Sequence, residues 1–190
     1  AQLVMDGALC NDAQNKEGQE IGDPTEIALI NFSTKHKLPY EEVQNKYPRL
    51  AEIPFDSDRK LMSTVHKIGD NYKMLTKGAT DVLIPRIREM KTADGKKPFT
   101  QEDIDAVKKA NLEFSQNGLR VLCVCERDVP DTNITVDDET DYILLGLIAM
   151  QDPPRAESKA AVEKCKMAGI VPIMITGDHL ITASAIAKEI

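Results

Sequence analysis

Long apolar segments are lacking in this chain of 190 residues. The longest run, at 142–150, has nine residues, about half of what a membrane-spanning helix needs, so we expect the chain itself not to cross a membrane. Basic residues are also in deficit, because 24 Lys and Arg stand against 31 Asp and Glu, a formal net charge of −7. This balance argues against nucleic acid as the main partner, since phosphate backbones are bound by basic surfaces.

Cysteine is scarce, with four residues at 10, 123, 125 and 165. No His or Cys cluster lies near the Cys123-x-Cys125 pair in sequence, so we interpret it as two reduced thiols on one face of a buried strand. Reduced thiols and an acidic composition fit the cytoplasm. The sequence has no basic-then-apolar leader, and its last helical pattern meets no Gly or Pro, so we expect a fragment of a longer protein.

Signatures of common catalytic sites are missing as well. The three histidines lie far apart, and no G-x-S-x-G, H-E-x-x-H or Walker A string occurs. Apolar residues still make up 42% of the chain, enough to build a core. The residues alone therefore indicate a cytosolic α/β module with a candidate nucleotide or phosphate site.

Patterning in the first two thirds of the chain predicts a sheet with helices. Short strands separated by charged or Gly-containing turns indicate an antiparallel meander at 50–55, 60–67 and 72–76. Cap residues and apolar spacing predict helices at 23–37, 78–90 and 100–118, with a loop at 91–99. The segment at 127–141 carries six acidic groups and one basic group, so we interpret it as a solvated loop without a catalytic carboxylate pair.

The pattern changes after residue 142. A strand at 143–150, a D-P-P-R crossing at 152–155, a helix, a strand at 171–175 and a T-G-D turn before another helix form half of a parallel α/β unit. Two prolines make a stiff crossing, so we predict domains at 1–151 and 152–190.

Two strand ends are candidate ligand positions. Gly177 follows an apolar strand and opens a helix, where α/β sheets bind phosphate. Lys77 and Gly78 end another strand, where a flat or charged ligand could approach the backbone; the alternative is an ordinary strand-to-helix turn with a surface lysine.

Four further side chains each have a functional and a structural interpretation. Phe55 ends its strand beside a charged turn, and is either a core residue or a ring that stacks on a base. Lys60 and Arg120 are either residues of a ligand site or, in the structural interpretation, solvated surface cations. Glu26 is either a residue of a ligand site or, in the structural interpretation, the capping-box residue whose side chain accepts the backbone N–H of the helix cap.

Seven motifs together are more specific than any one of them. They occur in the order found in P-type cation-transporting ATPases: ALCNDA (8–13), GDPTEIAL (22–29), IPFDSDRKLMSTV (53–65), TKGATDVL (76–83), NGLRVL (117–122), DPPR (152–155) and MITGDH (174–179). The chain resembles the nucleotide-binding (N) domain with part of the phosphorylation (P) domain of a type II pump, most like a bacterial calcium pump. The resemblance implies an α+β N domain, with an antiparallel sheet flanked by helices, followed by a partial haloacid-dehalogenase-like parallel α/β segment.

The resemblance also implies an ATP site. Phe55 matches the aromatic that stacks on adenine, and Arg120 matches an arginine that reaches the phosphates and bridges two domains. Ser57 departs from the family pattern, since sarcoplasmic-reticulum pumps carry an arginine there, so adenine stacking should dominate binding. The matched pocket residues are Glu26, Phe55, Lys60, Lys77, Gly78 and Arg120; Thr176, Gly177 and Asp178 match the motif around the transferred phosphoryl group.

Two family strings do not occur in the chain: D-K-T-G-T, with the phosphorylated aspartate, and the magnesium motif G-D-G-x-N-D. Phosphoryl transfer needs nucleophile, metal and phosphate in line, so we expect this chain to bind ATP without hydrolysing it. The resemblance implies a parent that uses ATP and Mg²⁺, forms an aspartyl phosphate and transports a cation, Ca²⁺, across a membrane. The implied partners are the remaining phosphorylation, actuator and transmembrane domains of the same polypeptide, with this chain at the cytoplasmic face.

Two alternatives stay open at this point. The first is a non-catalytic nucleotide-sensing or protein-interaction module with no pump attached. The second is a free-standing phosphatase of the haloacid dehalogenase type, which shares the T-G-D strand but not the motifs before residue 150.

Overall fold

The computed structural model describes residues 2–16, 19–151, 156–176 and 180–190. They belong to two compact units, one of Ala1–Asp105 with Leu122–Ile148, the other of Ala106–Val121 with Ala149–Ile190. The crossing at 152–155, where we predict a domain boundary, lies outside the described residues.

A seven-stranded sheet is the largest element of the fold. A separate two-stranded ladder comes first in the chain, β1 (Gln14–Lys16) with β2 (Gln19–Ile21). The strands of the large sheet are β3 (Arg49–Asp56), β4 (Leu61–Ile68), β5 (Asn71–Gly78), β6 (Ile87–Thr92), β7 (Gly95–Pro98), β8 (Leu119–Val129) and β9 (Tyr142–Gln151). Their order is β3-β4-β5-β8-β9-β6-β7. The first four are paired antiparallel and β6 with β9 parallel, which confirms the predicted meander and the α/β class with a mostly antiparallel sheet.

Three helices lie on one face of the first unit's strands: α1 (Gln2–Leu9), α2 (Pro24–Lys35) and α3 (Tyr40–Lys46). Leu9 and Val43 pack with Met62 of β4 and Leu75 of β5 in one buried cluster that also contains Cys10. Burying each such aliphatic side chain is worth roughly 1.5–3 kcal/mol. This cluster fixes α1 and α3 against the middle of the meander.

The region after β5 differs from its predicted helix. Helix α4 (Thr80–Leu83) and a 3₁₀ turn at Ile84–Arg86 are followed directly by β6, so the helix predicted to reach Met90 is wrong beyond the turn. Pro85 lacks the N–H that would continue a helix, and β6 instead pairs with β9 and β7. The loop predicted at 91–99 is therefore wrong as well, because most of this segment belongs to the antiparallel hairpin that β6 forms with β7.

The second unit contains the other helices. Helix α5 (Gln101–Gln116) confirms the helix predicted after Thr100, although its first turn belongs to the first unit. Helices α6 (Ala156–Met167) and α7 (Leu180–Glu189) follow it in the second unit. Residues 171–176 are exposed and form no strand, so the strand predicted at 171–175 is wrong. None of the described strands pairs with this segment, and an unpaired strand leaves its backbone N–H and C=O groups without partners.

The cysteines match their interpretation. All four are free, and Cys123 and Cys125 are buried on β8 with their Sγ atoms 3.8 Å apart. As for membrane spans, none of the helices in the described ranges is both long and apolar enough to cross a bilayer.

The acidic segment at 127–141 is only partly solvated. Asp131 and Asp137 are exposed as predicted, but Glu139 is 2% exposed. Its carboxylate lies 2.5 Å from the Nη1 of Arg59, which is 80 residues away in sequence. The interpretation of the whole segment as a solvated loop is therefore wrong at Glu139.

A second buried acidic group connects α1 to β8. Asp6 is fully buried beside Glu126, and the Nε2 of Gln2 lies 2.7 Å from Glu126 Oε2 and 3.5 Å from Asp6 Oδ2. Burial, and next the negative charge of Glu126, raise the pKa of Asp6 from 3.8 to about 7, although Lys73 and Lys91 oppose this. The folded chain therefore holds a proton that the unfolded chain releases at lower pH.

This raised pKa has a consequence for stability. Since the unfolded chain binds fewer protons between pH 4 and 7, the free energy of unfolding falls as the pH rises through that window. We expect Asp6→Asn, which cannot ionise, to be about 4 kcal/mol more stable than the wild type at pH 8 and nearly equal to it at pH 4. Urea denaturation at pH 4, 6 and 8 measures this, and a difference that does not change with pH would contradict it.

Candidate functional site

The end of β5 and the β3–β4 turn lie side by side in the first unit. Asp56 pairs with Leu61, and Leu61 pairs with Gly78. One residue further along the ladder, Met62 pairs with Lys77. The register therefore brings together the strand ends that carry four of the predicted site residues: Phe55, Lys60, Lys77 and Gly78.

Lys77 points to the helix-covered face and forms an ion pair there. Its Nζ lies 2.6 Å from Oε1 of Glu26, and the two side chains are 8% and 15% exposed. Residues directly opposite in an antiparallel pair share a face, so Lys77 lies on the same face as the buried Met62. The Lys77 charge is thus matched by a carboxylate supplied from helix α2.

Glu26 does not close a capping box. Asp23 caps α2, because its Oδ1 accepts the N–H of Thr25 at 2.8 Å. The Glu26 carboxylate does not turn back to Asp23; it accepts hydrogen bonds from the Asp12 amide at 3.2 Å and from Lys77 Nζ at 2.6 Å. The capping-box interpretation of Glu26 is therefore wrong. The carboxylate is available to a site at the end of β5.

The loop after α1 holds Glu26 in place, a role that the sequence did not reveal. Asn11, 1% exposed, donates from Nδ2 to the Glu26 carbonyl at 2.8 Å and accepts the Ala13 N–H at 2.8 Å. Arg49 donates to the Asn11 carbonyl and to Asp12 Oδ1, the latter at 2.6 Å. Asn11 and Asp12 belong to the A-L-C-N-D-A motif, which supported only the family resemblance and predicted no role for either residue.

Gly78 is needed by the sheet itself. A Cβ built at this position would meet the Lys60 carbonyl oxygen and, at 2.5 Å, the Cδ2 of Leu61. These atoms belong to β4 and its turn, and the Ala79 N–H also donates to that Lys60 carbonyl at 3.2 Å. The close approach at Gly78 is therefore made by the neighbouring strand of the protein.

Lys60 differs from Lys77 in its surroundings. It is exposed, has a left-handed backbone (φ +56°) at the end of the turn, and forms no ion pair with any of the described residues. The Lys60 ammonium group is therefore a solvated cation near Gly78, whereas the charge of Lys77 is neutralised by Glu26.

Phe55 is not a core residue. Its side chain is 60% exposed, although it lies in a strand of the sheet. The register shifts by one residue between Ile53 and Asp56, so Pro54 and Phe55 together oppose the single residue Met62. Phe55 and Lys77 therefore lie in one row of the sheet with β4 between them, their backbones roughly 10 Å apart at two strand spacings.

The other predicted site residues belong to the second unit. Arg120 is half-buried on β8, so the interpretation as a solvated surface cation does not describe it. Thr176 is exposed. Gly177 and Asp178 lie outside the described residues, so the T-G-D turn stays a prediction.

The site in the first unit has the features of a binding site rather than of a reaction centre. It combines an exposed ring, a solvated lysine and a neutralised lysine–glutamate pair. Within the described parts of the chain, no group of three or more His, Cys, Asp or Glu side chains is placed to hold a metal ion. An aromatic ring beside cationic groups suits a flat, polar, anionic ligand.

The mostly antiparallel sheet flanked by helices is consistent with the family that a comparison with known proteins identifies. Residues 1–157 match the family model described as the P-type ATPase cytoplasmic domain N, and the chain belongs to this family. The family predicted from the seven motifs is therefore confirmed.

Several of the relatives that match this chain are calcium-transporting ATPases of bacteria. The chain is 47% identical over 192 residues to one of Listeria monocytogenes, 48% over 186 residues to one of Lactococcus lactis and 40% over 189 residues to one of Bacillus cereus. The matches cover 96–100% of this chain but 21–22% of the relatives. The chain thus spans about a fifth of the length of these proteins.

Proposed function

We propose that this chain binds ATP in the first unit, with adenine against Phe55 near the end of β5. The observation that carries the proposal is the row formed by Phe55, Met62 and Lys77, in which the 60% exposed Phe55 and the nearly buried Lys77 lie on either side of β4. An exposed ring at the end of a strand is accessible to a ligand, and aromatic rings bind bases by stacking.

The charges of the site favour the base end of the nucleotide. Lys77 is already paired with Glu26 at 2.6 Å, so it offers mainly its apolar stem to a ring and little net charge to a phosphate. Ser57, where sarcoplasmic-reticulum pumps carry an arginine, adds no cation. Lys60 is exposed beside Gly78 and supplies a solvated positive charge, and Arg120 is proposed to act on the phosphates as its family match does.

The whole protein is proposed to be a cation pump. Three bacterial relatives at 40–48% identity are calcium-transporting ATPases, while one at 34% is a potassium-transporting ATPase. This supports a parent that forms an aspartyl phosphate from ATP and couples its hydrolysis to cation transport, with Ca²⁺ as the proposed ion. Thr176, Gly177 and Asp178 would surround the phosphoryl group once the phosphorylation, actuator and transmembrane domains are assembled, at the cytoplasmic face of the membrane. Mg²⁺ is the proposed cofactor of that reaction, although the described residues provide no metal-binding cluster of their own.

The isolated chain is expected to bind ATP without hydrolysing it, because the D-K-T-G-T string is not part of its sequence. Titrating ATP into the ¹⁵N-labelled chain should shift the amide resonances of Phe55, Lys77 and Gly78. Phe55→Ala should weaken the binding roughly tenfold, since stacking on one base is worth about 1–3 kcal/mol.

The matched control is Leu50→Ala, which removes another exposed apolar side chain of β3, 45% exposed at the other end of the strand. It should leave the ATP titration unchanged. If millimolar ATP shifts none of the three resonances, or if both variants bind as the wild type does, the proposed adenine position is wrong.

A further inference from the structure

The turn between β3 and β4 rests on a buried carboxylate that the nucleotide site does not itself include. Glu139, at the end of the acidic segment, has a fully buried side chain. Its Oε1 accepts hydrogen bonds from Arg59 Nη1 at 2.5 Å and from Ser63 Oγ at 2.6 Å. Arg86 Nη1 lies 3.6 Å from its Oε2 and donates to the Glu139 carbonyl at 3.1 Å.

Arg59 connects this carboxylate to the turn. Its second guanidinium nitrogen donates to the carbonyl of Pro54, in the bulge that carries Phe55. The turn is also closed internally, because Asp56 Oδ1 accepts the amides of Asp58 at 3.0 Å and Arg59 at 2.8 Å. The guanidinium therefore bridges from Glu139 to the segment that presents Phe55 on one side and Lys60 on the other.

A chain of hydroxyl groups ties Glu139 to the centre of the sheet. Ser63 of β4 lies 2.8 Å from the Oγ1 of Thr76 on β5, which in turn lies 2.8 Å from the Tyr142 hydroxyl on β9. Burial raises the pKa of Tyr142, so its hydroxyl stays protonated at neutral pH. The carboxylate is thus fixed to three strands and can act as a rigid support for Arg59.

The burial of Glu139 is not explained by stability alone. Removing a carboxylate from water costs several kcal/mol, and well-packed apolar residues of similar volume often serve stability as well as a buried ion pair. What such a pair provides is a defined geometry, here for a surface turn. A binding segment that is ordered before the ligand arrives loses less conformational entropy on binding.

We propose that Glu139 is a positioning residue for the nucleotide, acting through Arg59 to hold the turn that presents Phe55 and Lys60. This inference rests on the proposed function, since it needs a nucleotide at that turn. Glu139 itself touches no ligand in this proposal. Its effect is to keep the adenine-facing ring and the solvated lysine in their binding geometry.

The test compares two buried glutamates in the 190-residue chain. Glu139→Gln removes the charge that holds Arg59. Glu126→Gln is the matched control, because Glu126 is equally buried and ion-paired, 3.1 Å from Lys73 Nζ, but has no contact with the turn. Both variants should lose stability, so stability alone does not separate them. ATP affinity from titration calorimetry should fall about tenfold for Glu139→Gln and stay within twofold of the wild type for Glu126→Gln.

A second variant covers the case in which Glu139→Gln does not fold. Arg59→Lys keeps the positive charge but lacks the planar fork that contacts both Glu139 and Pro54. It should show the same tenfold loss of affinity and faster amide hydrogen exchange at 57–60.

The outcomes separate the two proposals. If the wild-type chain binds no ATP, the proposed function fails and the positioning role falls with it. Wild-type binding with unchanged affinity in both Glu139→Gln and Arg59→Lys overturns the positioning role alone. Equal losses for Glu139→Gln and Glu126→Gln overturn it as well, since a general loss of stability would then explain both.

Discussion

Replacing Gly78 with alanine is expected to lower the free energy of unfolding by about 3 kcal/mol. The new Cβ would lie 2.5 Å from Leu61 Cδ2 and 3.1 Å from Leu61 Cα, as well as against the Lys60 carbonyl. Since two of these contacts are to backbone atoms of the neighbouring strand, the methyl group can be accommodated only by moving β4 and its turn. Urea denaturation at pH 7 measures the loss.

Gly69→Ala provides the control for glycine removal as such. Gly69 lies in the turn between β4 and β5 with φ +66°, and nothing lies within 4 Å of a Cβ there. Its replacement carries only the left-handed backbone cost, about 1 kcal/mol. If the two variants are equally stable, Gly78 is not a packing requirement of the sheet, and its glycine would instead serve a ligand that approaches the backbone.

Replacing Lys77 with methionine is expected to lower the free energy of unfolding by about 3 kcal/mol and ATP affinity at least tenfold. The substitution leaves the Glu26 carboxylate, 15% exposed, without the cation that lies 2.6 Å from it. An unpaired carboxylate at the site would also repel the triphosphate. Denaturation and ATP titration of the same variant measure both effects.

The second substitution Glu26→Gln, made in the Lys77→Met background, should restore at least half of the lost stability, because the uncompensated charge is then gone. Lys97→Met is the surface control. Lys97 pairs with Asp103 at 2.7 Å while 47% exposed, and exposed pairs contribute about 0–1 kcal/mol. A double variant no more stable than Lys77→Met alone would refute the account of the pair.

The sequence was sufficient for elements whose signals are local. Strands β3 to β5 were predicted within two residues of their ends, because each combines apolar residues with a turn such as Gly69-Asp70. Strand β6 was missed, since Ile87 and Met90 are spaced as on a helix and their strand partners, Tyr142 and Leu144, are more than 50 residues away. The pairing of β6 with β9 cannot be predicted from the spacing of apolar residues within β6 alone.

The candidate site shows the same division. Phe55, Lys60, Lys77 and Gly78 could be named because they flank strand ends that the sequence defines. Glu26 was named as a pocket residue by the family resemblance, but its ion pair with Lys77 could not be predicted, since the two are 51 residues apart and Glu26 has a good local alternative in the capping box. Glu139 was hidden for a further reason: five acidic neighbours make its segment look uniformly solvated, and only the fold brings Arg59 to it.

The Lys77–Glu26 pair also bears on how a nucleotide arrives. A site with unmatched cations attracts anions from a distance and speeds their association. Here the deeper lysine is neutralised before any ligand is present, and the chain as a whole carries a charge of −7. Long-range steering of a polyphosphate is therefore expected to rest on Lys60 alone among the two lysines, and capture at the proposed site then depends on short-range collisions that bring the base onto the exposed ring.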